Sequence, residues 1–551
     1  MVYPSDLDDR VHYDREDHFI TEDITYTTLN GAQFLIDGSP AVTKGNVSYV
    51  NVNEFSGVNP LAQAIESGIS RGLPVAVTSP VTITSTISPS GPFELYGTGP
   101  SAIITPSSAL FNLFELTVAN DGSLIKDLVV NGKATNDSTT QFFISQNGAT
   151  PSPNRVTVKN IRILPDALDR NVNCGIKVYQ ATDWLIEGLI VVKLWGSDLS
   201  NTGYGVLTGR SKRIMVSDSL FVGDRAGNRG RHAVYLTVAT SDCTVSNVTV
   251  IEHDRSGIIM KAGPTGESCD RNLIIGCKVL EHGNATTDQA GISIGGAGKY
   301  NRISSCVVDN CINTGINIIP GDNSSFVVGV LSDNSIEGCT ITNCVGQAIE
   351  LQSTTRTLIT GNRIHNAGTG GSHAAIGVRG DGPFGQGDDV GLHVLNNYIT
   401  SPGRASIEVS TSGTTPPSGI VIRGNDLATG STGDTIRDIT RPGVWDLSNI
   451  TDGSPTNVKT ATVSDMTPTV RNTRILIMPS PGGVNTLTAL DDGVESQTVE
   501  VHFATGFITV DFSGTTLKGN GGVDLLMNNG DIMRCTKRGA NWYCSVADCT
   551  P

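Results

Sequence analysis

A short pattern recurs through most of the chain and constrains the fold more than any other feature. Three strand-forming residues precede one small or Asn-like residue, which we call the anchor, and three more follow it, as in TVSNVTV (244–250) and SIEGCTI (335–341). The anchors are Asp127, Asn160, Gly188, Asp218, Asn247, Gly276, Ser305, Gly338, Gly361, Asn396 and Gly424. Successive anchors lie 23 to 35 residues apart, most often 28 to 30. A repeat of this length indicates a stacked architecture rather than a single globular core.

A second motif follows the anchors and supplies another strand. We call it the GI motif, and it reads SGIIM, AGISI, TGINI, QAIEL, AAIGV or ASIEV in different repeats. Three short strands in about 29 residues, with no helix between them, are what one coil of a parallel β-helix requires. Leucine-rich repeats need a Leu/Asn consensus that is absent, and a propeller blade needs about four strands and roughly 40 residues. The pattern therefore predicts an all-β parallel β-helix of about 11 coils.

The residue directly after each anchor tests this prediction, because stacked coils place it in one column. The column reads Ile161, Leu189, Ser219, Val248, Cys277, Cys306, Cys339, Asn362, Asn397 and Asn425. Its members would lie about 4.8 Å apart, with the Asn amides hydrogen-bonded along the axis. Stacked Cys residues behave as small buried hydrophobes, which favours reduced thiols and folding in a cytoplasm. Cys535 and Cys544 flank a predicted hairpin turn and are the expected exception.

Composition narrows the classes of function. The chain has 63 Gly, 24 Pro and only 17% charged residues, which suits short strands and tight turns. A net charge of -15 argues against nucleic acid as a partner, because phosphate binding needs a basic face. No apolar run reaches the roughly 18 residues of a membrane span, and the acidic N-terminus does not resemble a signal peptide. No zinc, phosphate-loop or dinucleotide spacing occurs, so no metal or cofactor is expected.

The two ends depart from the repeat and define the domain boundaries. Asn59 and Pro60 open an amphipathic segment that predicts a cap helix over residues 59–72. After about residue 440 the anchors stop, and strands separated by Gly/Asn turns predict a small antiparallel sandwich. The predicted organisation is an N-terminal attachment segment (1–50), a cap with the first strands (51–120), the β-helix (121–440) and a C-terminal β-sandwich (457–551).

This arrangement resembles the bacteriophage tailspikes that act as polysaccharide depolymerases and have a pectate-lyase-like right-handed β-helix. The resemblance rests on the cap helix leading into GLPVAVTSPVTITSTI and on the ending NNGDIMRCTKRGANWYC. It implies a virion protein that forms a homotrimer, attaches to a phage tail or baseplate protein through its N-terminal segment, and cuts capsule or O-antigen. It is architectural, since no catalytic signature of the family is matched residue by residue. Residues 1–50 are also short for a virion-binding domain.

The first candidate site is the charged stretch EHDR within VIEHDRSGIIMKAG (250–263). Six residues after the anchors, three consecutive coils place Asp224, His253 and His282 in one predicted column. Its predicted neighbours are Arg225, Asp254, Arg255, Lys261 and Glu281. Acids, bases and imidazoles converging on one surface suit glycan recognition, whereas weak surface ion pairs are the alternative. Glu252 and Glu281 also fit an inward turn column with Asn310, Asn343 and Asn366, which would make them structural.

The second candidate site lies on the GI strands. Glu350 and Glu408 occupy outward positions two coils apart, so their Cα atoms should lie nearly 10 Å apart. Inverting glycosidases separate their carboxyl groups by roughly 6.5 to 9.5 Å. Arg379 belongs to the coil between them, and the loop at 379–389 offers Asp381 and, as a platform for stacking on sugars, Phe384. The alternative is again an ordinary charged surface.

The favoured function is an endo-acting glycosidase that depolymerises a bacterial surface polysaccharide. Glu350 with Glu408, or Asp254 with Glu281, would then serve as acid and base. A polysaccharide lyase would instead depend on His253, Arg255 and Lys261. A non-catalytic glycan-binding adhesin is an alternative from another class, and a secreted pectin-degrading enzyme is disfavoured by the absence of a recognisable signal peptide.

Overall fold

A computed structural model describes the chain in segments. They are residues 24–27, 33–36, 49–134, 141–146, 151–196, 202–224, 230–263, 266–283, 290–320, 331–380, 391–411, 420–428, 436–438, 450–451, 454–455, 458–460, 467–468, 470, 475–478, 485–491, 493, 496–504 and 508–547. The fold is an all-β right-handed parallel β-solenoid of about 13 turns, with additional sheets at the C-terminus. The chain forms two compact units, residues 1–259 and 260–551.

The first unit begins with a hairpin and a capped helix and continues into stacked coils. The hairpin pairs Ile24–Thr27 with Gln33–Ile36, and the helix is Pro60–Arg71. The strands that precede the first anchor are Val50–Asn51, Val75–Val77, Val81–Ile83, Glu94–Gly97 and Ile103–Pro106. The strands that contain or flank the anchors are Leu124–Asn131, Thr157–Leu164, Leu185–Glu187, Ile190–Val192, Met215–Ser217, Leu220–Val222, Thr244–Ser246 and Thr249–Ile251. The GI-type strands form what we call the front sheet, here Phe114–Leu116, Phe142–Gln146, Cys174–Tyr179, Tyr204–Gly209 and His232–Thr237.

The second unit repeats the same coil, and the strand Ile258–Lys261 runs across the division between the units. The strands that flank its anchors are Leu273–Ile275, Lys278–Leu280, Arg302–Ser304, Val307–Asp309, Ser335–Glu337, Thr340–Cys344, Leu358–Thr360, Arg363–Ala367, His393–Leu395, Tyr398–Thr400, Val421–Arg423 and Asp426–Leu427. Two short strands follow the last anchor, Ile450–Thr451 and Ser454–Pro455. Its front sheet comprises Ile292–Gly295, Ile316–Ile319, Ile349–Gln352, Ile376–Gly380, Ile407–Thr411 and Ile436–Asp438. A small third sheet contains Gly298–Lys299, Leu331–Ser332 and Thr354–Thr355.

The anchors recur because each one makes a left-handed turn between two strands. All eleven have positive φ, between 50° at Asp218 and 65° at several of the glycines. Gly adopts this region without steric cost, and Asn and Asp tolerate it better than other residues. The turn changes the direction of the chain between two consecutive strands without making a hairpin. Each anchor therefore forms a corner of a coil. The coils number about 13 rather than the predicted 11 because parallel strands between residues 50 and 106 also stack into the solenoid.

The predicted column after the anchors is confirmed, since each of its ten members is buried. Asn362 Nδ2 donates to Asn397 Oδ1 at 2.9 Å, and Asn397 Nδ2 donates to Asn425 Oδ1 at 2.8 Å. A second amide ladder that sequence analysis did not predict runs through Asn272, Asn301 and Asn334. These bonds satisfy amides that would otherwise be costly to bury.

The cysteines divide as predicted. The eight described solenoid cysteines are buried free thiols. Hydrogen bonding to Cys277 raises the pKa of Cys306 to about 12, and hydrogen bonding to Cys344 together with burial raises the pKa of Cys311. These sulfurs therefore stay protonated and pack as apolar groups. Cys535 and Cys544 lie opposite each other in a hairpin and form a disulfide.

The cap helix also agrees with its prediction. Asn59 accepts a hydrogen bond from the Ala62 N–H at 3.4 Å, Pro60 occupies the first turn, and Gly72 ends the helix with φ of 63°. Leu61 and Ile65 are fully buried. The helix thus presents its apolar stripe to the first strands, as a cap requires.

The C-terminal region has two sheets around one core. The larger sheet contains Val458–Thr460, Ile475–Met478, Thr498–Phe503, Leu517–Lys518, Ile532–Arg538 and Asn541–Ala547, and the smaller contains Asn485–Leu487, Ile508–Val510 and Leu525–Met527. Side chains from both sheets, including Phe503, Val510 and Trp542, bury in a common cluster. The predicted antiparallel arrangement is only partly right, because Ile475–Met478 pairs in parallel with Thr498–Phe503.

Candidate functional site

The first predicted site does not form the exposed charged surface that its sequence indicates. In the first unit, His253 and Asp254 are each 2% exposed, because the chain turns inward after Glu252. Burial lowers the pKa of His253 to about 3, so its imidazole is neutral and enclosed. Asp224 is partly exposed and lies 3.7 Å from Lys193 Nζ. Arg255 is half-buried, whereas Arg225 lies outside the described residues.

The three members of this site in the second unit also differ in exposure. His282 is fully buried, whereas Glu281 is exposed and Lys261 is half-buried. The prediction of exposure is therefore wrong for His253, Asp254 and His282. Since Asp254 is enclosed and Glu281 faces solvent, their environments do not favour an acid and base acting together on one substrate.

The turn column proposed for the glutamates explains why they occur there. Glu252 and Glu281 have φ of 54° and 53°, and Asn310, Asn343 and Asn366 share the same left-handed conformation. These residues form a second set of corners. They do not point inward as predicted, because Glu281, Asn310 and Asn343 are exposed. Their role is to turn the backbone.

The second predicted site, by contrast, has the geometry that its register requires. On the front sheet of the second unit, Glu350 pairs with Gly377, and Gly377 pairs with Glu408. The two glutamates therefore occupy one column, separated by one strand and by about 10 Å between Cα atoms. The same column continues from Glu350 to Asn317 and then to Ser293. It forms a polar stripe on the outer face of the sheet.

Glu350 is held by two contacts from neighbouring coils. Arg379 Nη1 lies 3.2 Å from Glu350 Oε1, and Thr314 Oγ1 donates to Glu350 Oε2 over 3.4 Å. The residue is 8% exposed, so its charge is compensated rather than hydrated. Arg379 extends toward the surface with 36% of its side chain exposed.

Glu408 has its own cation. Arg404, four residues earlier, places Nε 3.3 Å from Glu408 Oε2, and 14% of the glutamate side chain is exposed. Arg379 is paired with Ser410 in the register and makes its ion pair with Glu350. Arginine side chains from outside the column therefore lie beside both carboxylates of the stripe.

Two further polar side chains complete the stripe. Asn317 is 2% exposed, and its Oδ1 has no hydrogen-bond partner among the described residues. Gln347 is 5% exposed, and its amide lies over the backbone of Gly377, between the two glutamates in the column. An acceptor and an amide beside two carboxylates are groups that bind sugar hydroxyls.

Sequence analysis identified Glu350, Glu408 and Arg379 but missed Thr314, Gln347 and Arg404. Two of these residues share an offset whose meaning becomes clear from the contacts between coils. Thr314 and Gln347 each precede the outward residue of their own coil by three positions, and each contacts the outward position of the next coil. The predicted loop residues Asp381 and Phe384 lie outside the described residues.

The residues that are described contain no group of three His, Cys, Asp or Glu side chains arranged to hold a metal ion. Nor do those segments contain a helix with the length and apolarity needed to cross a membrane.

Comparison with known proteins supports the fold. Residues 144–330 match the family model described as a right-handed beta helix region. No curated protein sequence matches the chain. Among solved structures, the chain is similar to the A-module of a mannuronan C-5 epimerase from Azotobacter vinelandii, with 12% identity, a TM-score of 0.51, and coverage of 73% of this chain and 99% of that one.

Two other solved structures have lower TM-scores. The Dettilon tailspike protein is 16% identical with a TM-score of 0.46, and the match covers 69% of this chain and 65% of that one. The catalytic domain of a GH87 alpha-1,3-glucanase in complex with nigerose is 15% identical with a TM-score of 0.44, covering 74% and 70%. At these identities, the likeness to the epimerase module shows that the chain shares a right-handed β-helix fold.

Proposed function

We propose that this protein is a phage tailspike depolymerase that binds a bacterial capsule or O-antigen and cuts it as an endo-glycosidase. The single observation that carries the catalytic part is the register Glu350–Gly377–Glu408, which places two carboxylates in one column with a side-chain-free position between them. The epimerase module with the same fold is named for a polysaccharide, mannuronan, which is consistent with a glycan as substrate.

Hydrolysis of a glycosidic bond requires two carboxyl groups with different tasks. One protonates the departing glycosidic oxygen, and the other activates a water molecule on the opposite face of the sugar. Cα atoms about 10 Å apart allow side chains that lean toward each other to reach the separation found in inverting enzymes. Arg379 and Arg404 keep the two groups in defined positions, and Arg379 also extends to where a substrate would bind.

The deep position of the glutamates favours a site over an ordinary charged surface. A solvated surface glutamate gains little from an ion pair, because water screens the charge and the side chain loses entropy. Glu350 and Glu408 are instead mostly buried beside polar groups, including the Asn317 amide. Burying such a polar stripe costs free energy, so its presence on the outer face of a sheet favours a role in ligand binding or catalysis.

The test is polymer length after incubation with capsule and O-antigen preparations from a panel of bacteria, followed by size-exclusion chromatography. We expect the wild type to shorten one of them without producing an unsaturated uronic acid. Glu350→Gln and Glu408→Gln should each lower the rate by about 10²- to 10⁴-fold. Glu337→Gln is the matched control, because Glu337 also pairs with an arginine, Arg302, but on another face of the coil.

Each alternative has a distinct outcome in this experiment. Shortening that yields an unsaturated product would mean a lyase and would favour Arg255 and Lys261 as the residues that act on the substrate. Saturable binding with no shortening would mean an adhesin. Full activity in both Gln variants would reject the stripe as the catalytic site.

The proposal extends to assembly and location. A tailspike is expected to be a homotrimer that folds in the bacterial cytoplasm and joins a phage tail or baseplate protein through residues 1–50. Light scattering of the purified protein tests whether it is a trimer. Attachment through residues 1–50 is tested by removing them, which should leave the trimer intact and abolish its attachment to the virion. A stable monomer would contradict this part without affecting the catalytic part.

A further inference from the structure

The front sheet of the first unit carries a cluster of aromatic and cationic side chains that the proposed catalytic stripe does not use. Its strands pair so that Phe142, Cys174, Tyr204 and His232 form one column. Lys177, Leu207 and Tyr235 form the next column, and Tyr179, Gly209 and Thr237 form the third. The residues between them in sequence, such as Val178 and Leu236, are fully buried in the coil, so these columns lie on the outer face.

The rings of the first two columns pack against one another. Tyr204 and His232 stack with an interplanar angle of 7° and centroids 5.8 Å apart. Tyr235 approaches both, with centroids 5.5 Å from Tyr204 and 5.3 Å from His232. His232 Nδ1 lies 2.8 Å from the Ser256 carbonyl oxygen, which fixes the ring. Burial raises the pKa of Tyr204 to about 12, so its phenol stays neutral.

Tyr179 forms a second platform beside this cluster. Its ring lies across Gly209 of the next coil, where an added Cβ would meet the ring at 2.8 Å. The Arg210 guanidinium lies 5.7 Å from the centre of the same ring. Tyr179 and Tyr235 are both half-buried, whereas Tyr204 and Phe142 are enclosed. The rings of Tyr179 and Tyr235 are therefore accessible to a ligand, whereas those of Tyr204 and Phe142 lie beneath the surface.

The charge of this face is opposite to that of the whole chain. Lys177 lies over the Phe142 ring at 5.9 Å and Arg231 lies over the Tyr204 ring at 5.4 Å. Within the described residues Lys177 makes no ion pair with a carboxylate. Among the five described strands of this face the acidic residue is Glu115, which lies two strands away from Lys177. A chain with a net charge of -15 thus presents a local cationic, aromatic surface.

We propose that this face is a binding site for an acidic polysaccharide, with a uronic acid or a similarly carboxylated sugar as the residue recognised. Aromatic faces pack against the C–H faces of sugar rings, and Lys177 supplies the charge that selects a carboxylate. Tyr179 and Tyr235 lie on strands two apart, about 10 Å, which accommodates roughly two sugar rings, with Lys177 on the same strand as Tyr179 and in the same column as Tyr235. This inference rests on the proposed function, because it takes the ligand to be the bacterial surface polysaccharide.

The test measures binding separately from cleavage by using the full-length Glu350→Gln protein. Affinity gel electrophoresis is run through polygalacturonate, through each acidic capsule of the panel, and through the same capsules after chemical reduction of their carboxyl groups. We expect at least one acidic polymer to retard the protein and its reduced form to retard it much less. Lys177→Gln should weaken the acidic interaction by about tenfold, and Tyr179→Ala by about fivefold.

Matched controls come from strands elsewhere in the chain. Lys278→Gln and Tyr398→Ala remove an exposed lysine and an exposed tyrosine from strands of the second unit and should bind like the parent. Circular dichroism and thermal midpoints of all four variants establish that they are folded. Lys177→Gln should leave binding to the reduced polymers unchanged, which a merely structural role of Lys177 would not predict.

The outcomes separate this inference from the catalytic one. No retardation by any acidic polymer, equal retardation by the reduced polymers, or variants at Lys177 and Tyr179 that bind like the parent would each overturn it. If the wild type cuts polysaccharide and those variants still bind normally, the catalytic proposal stands and this one fails. If acidic binding depends on Lys177 and Tyr179 but the wild type cuts nothing, this inference stands and the catalytic proposal fails.

Discussion

Gln347 lies over Gly377 so closely that a Cβ atom at position 377 would be 1.9 Å from Gln347 Nε2. The same offset joins Thr314 to Glu350 one coil earlier, where the shorter side chain leaves room for the glutamate. Glycine at 377 therefore leaves the space that the Gln347 amide occupies, and it does not serve a left-handed backbone conformation. Because residue 377 has no side chain, the Gln347 amide lies between the two carboxylates of the stripe.

Gly377→Ala should damage the proposed site without unfolding the coil. The added methyl must displace the end of the Gln347 side chain, which is flexible, so the thermal midpoint should change little. Displacing a polar group between the catalytic carboxylates should lower the cleavage rate by about tenfold or more. Gly295→Ala is the control, because its Cβ would meet Lys261 Cγ at an ordinary 3.7 Å. Equal loss of activity in both variants would contradict the assignment.

Asn397→Ala should destabilise the solenoid strongly. The Asn397 side chain donates to Asn425 Oδ1 and to the Ile359 carbonyl oxygen, and it accepts from Asn362. Its loss leaves buried partners unsatisfied, and we expect unfolding free energy to fall by about 2–4 kcal/mol. Urea titration followed by circular dichroism measures the change. Arg363→Ala, on an exposed position nearby, should cost far less, and equal costs would show that the ladder is not a main source of stability.

His253 should make stability fall in mild acid. Burial lowers the pKa of His253 to about 3, whereas an unfolded histidine titrates near 6.5. The unfolded chain therefore binds a proton that the folded chain excludes, so stability is full above about pH 6.5 and declines as pH falls toward 3. In His253→Leu the thermal midpoint should depend less on pH across this range than it does in the wild type. The exposed His393→Leu is the control, and the two variants should not behave alike.

Asp166 should also stabilise the fold in a pH-dependent way, but as an ionised group and not as a neutral one like His253. Although burial opposes it, hydrogen bonds from the Arg170 side chain and from the Arg170 and Leu168 N–H groups lower the pKa of Asp166 to about 2. The ionised carboxylate therefore stabilises the fold above the ordinary aspartate pKa near 4, and this contribution is lost as pH falls from about 4 through 2. Asp166→Asn should lower the thermal midpoint at neutral pH, with the difference shrinking toward pH 2. A constant difference at all pH values would contradict this account.

The sequence predicted the coil because its determinants are local and repeated. An anchor such as Asn247 is a short polar residue or glycine because the corner needs a left-handed φ, and this requirement is visible in every repeat. The cap helix and the Cys535–Cys544 pair were likewise confirmed, since a helix N-cap and a hairpin are short-range features. The register that aligns Glu350 with Glu408 followed from the repeat itself.

The error at His253 and Asp254 has a different physical origin. Period-2 alternation specifies faces only within a strand, and these residues lie just beyond the corner formed by Glu252, where one turn decides whether the chain points inward. Charge in the sequence suggested a surface, but packing placed the imidazole and the carboxylate inside.

The sequence by itself thus determined the period, the corners and the columns, because each depends on residues within one coil and its repeat. Only the tertiary structure decided which side chains meet between coils. Gln347 over Gly377, Thr314 on Glu350 and Tyr204 against His232 are contacts of residues at least 28 positions apart, made by stacking coils of unequal length. Such contacts depend on the exact length of every intervening turn, which the repeat pattern leaves free.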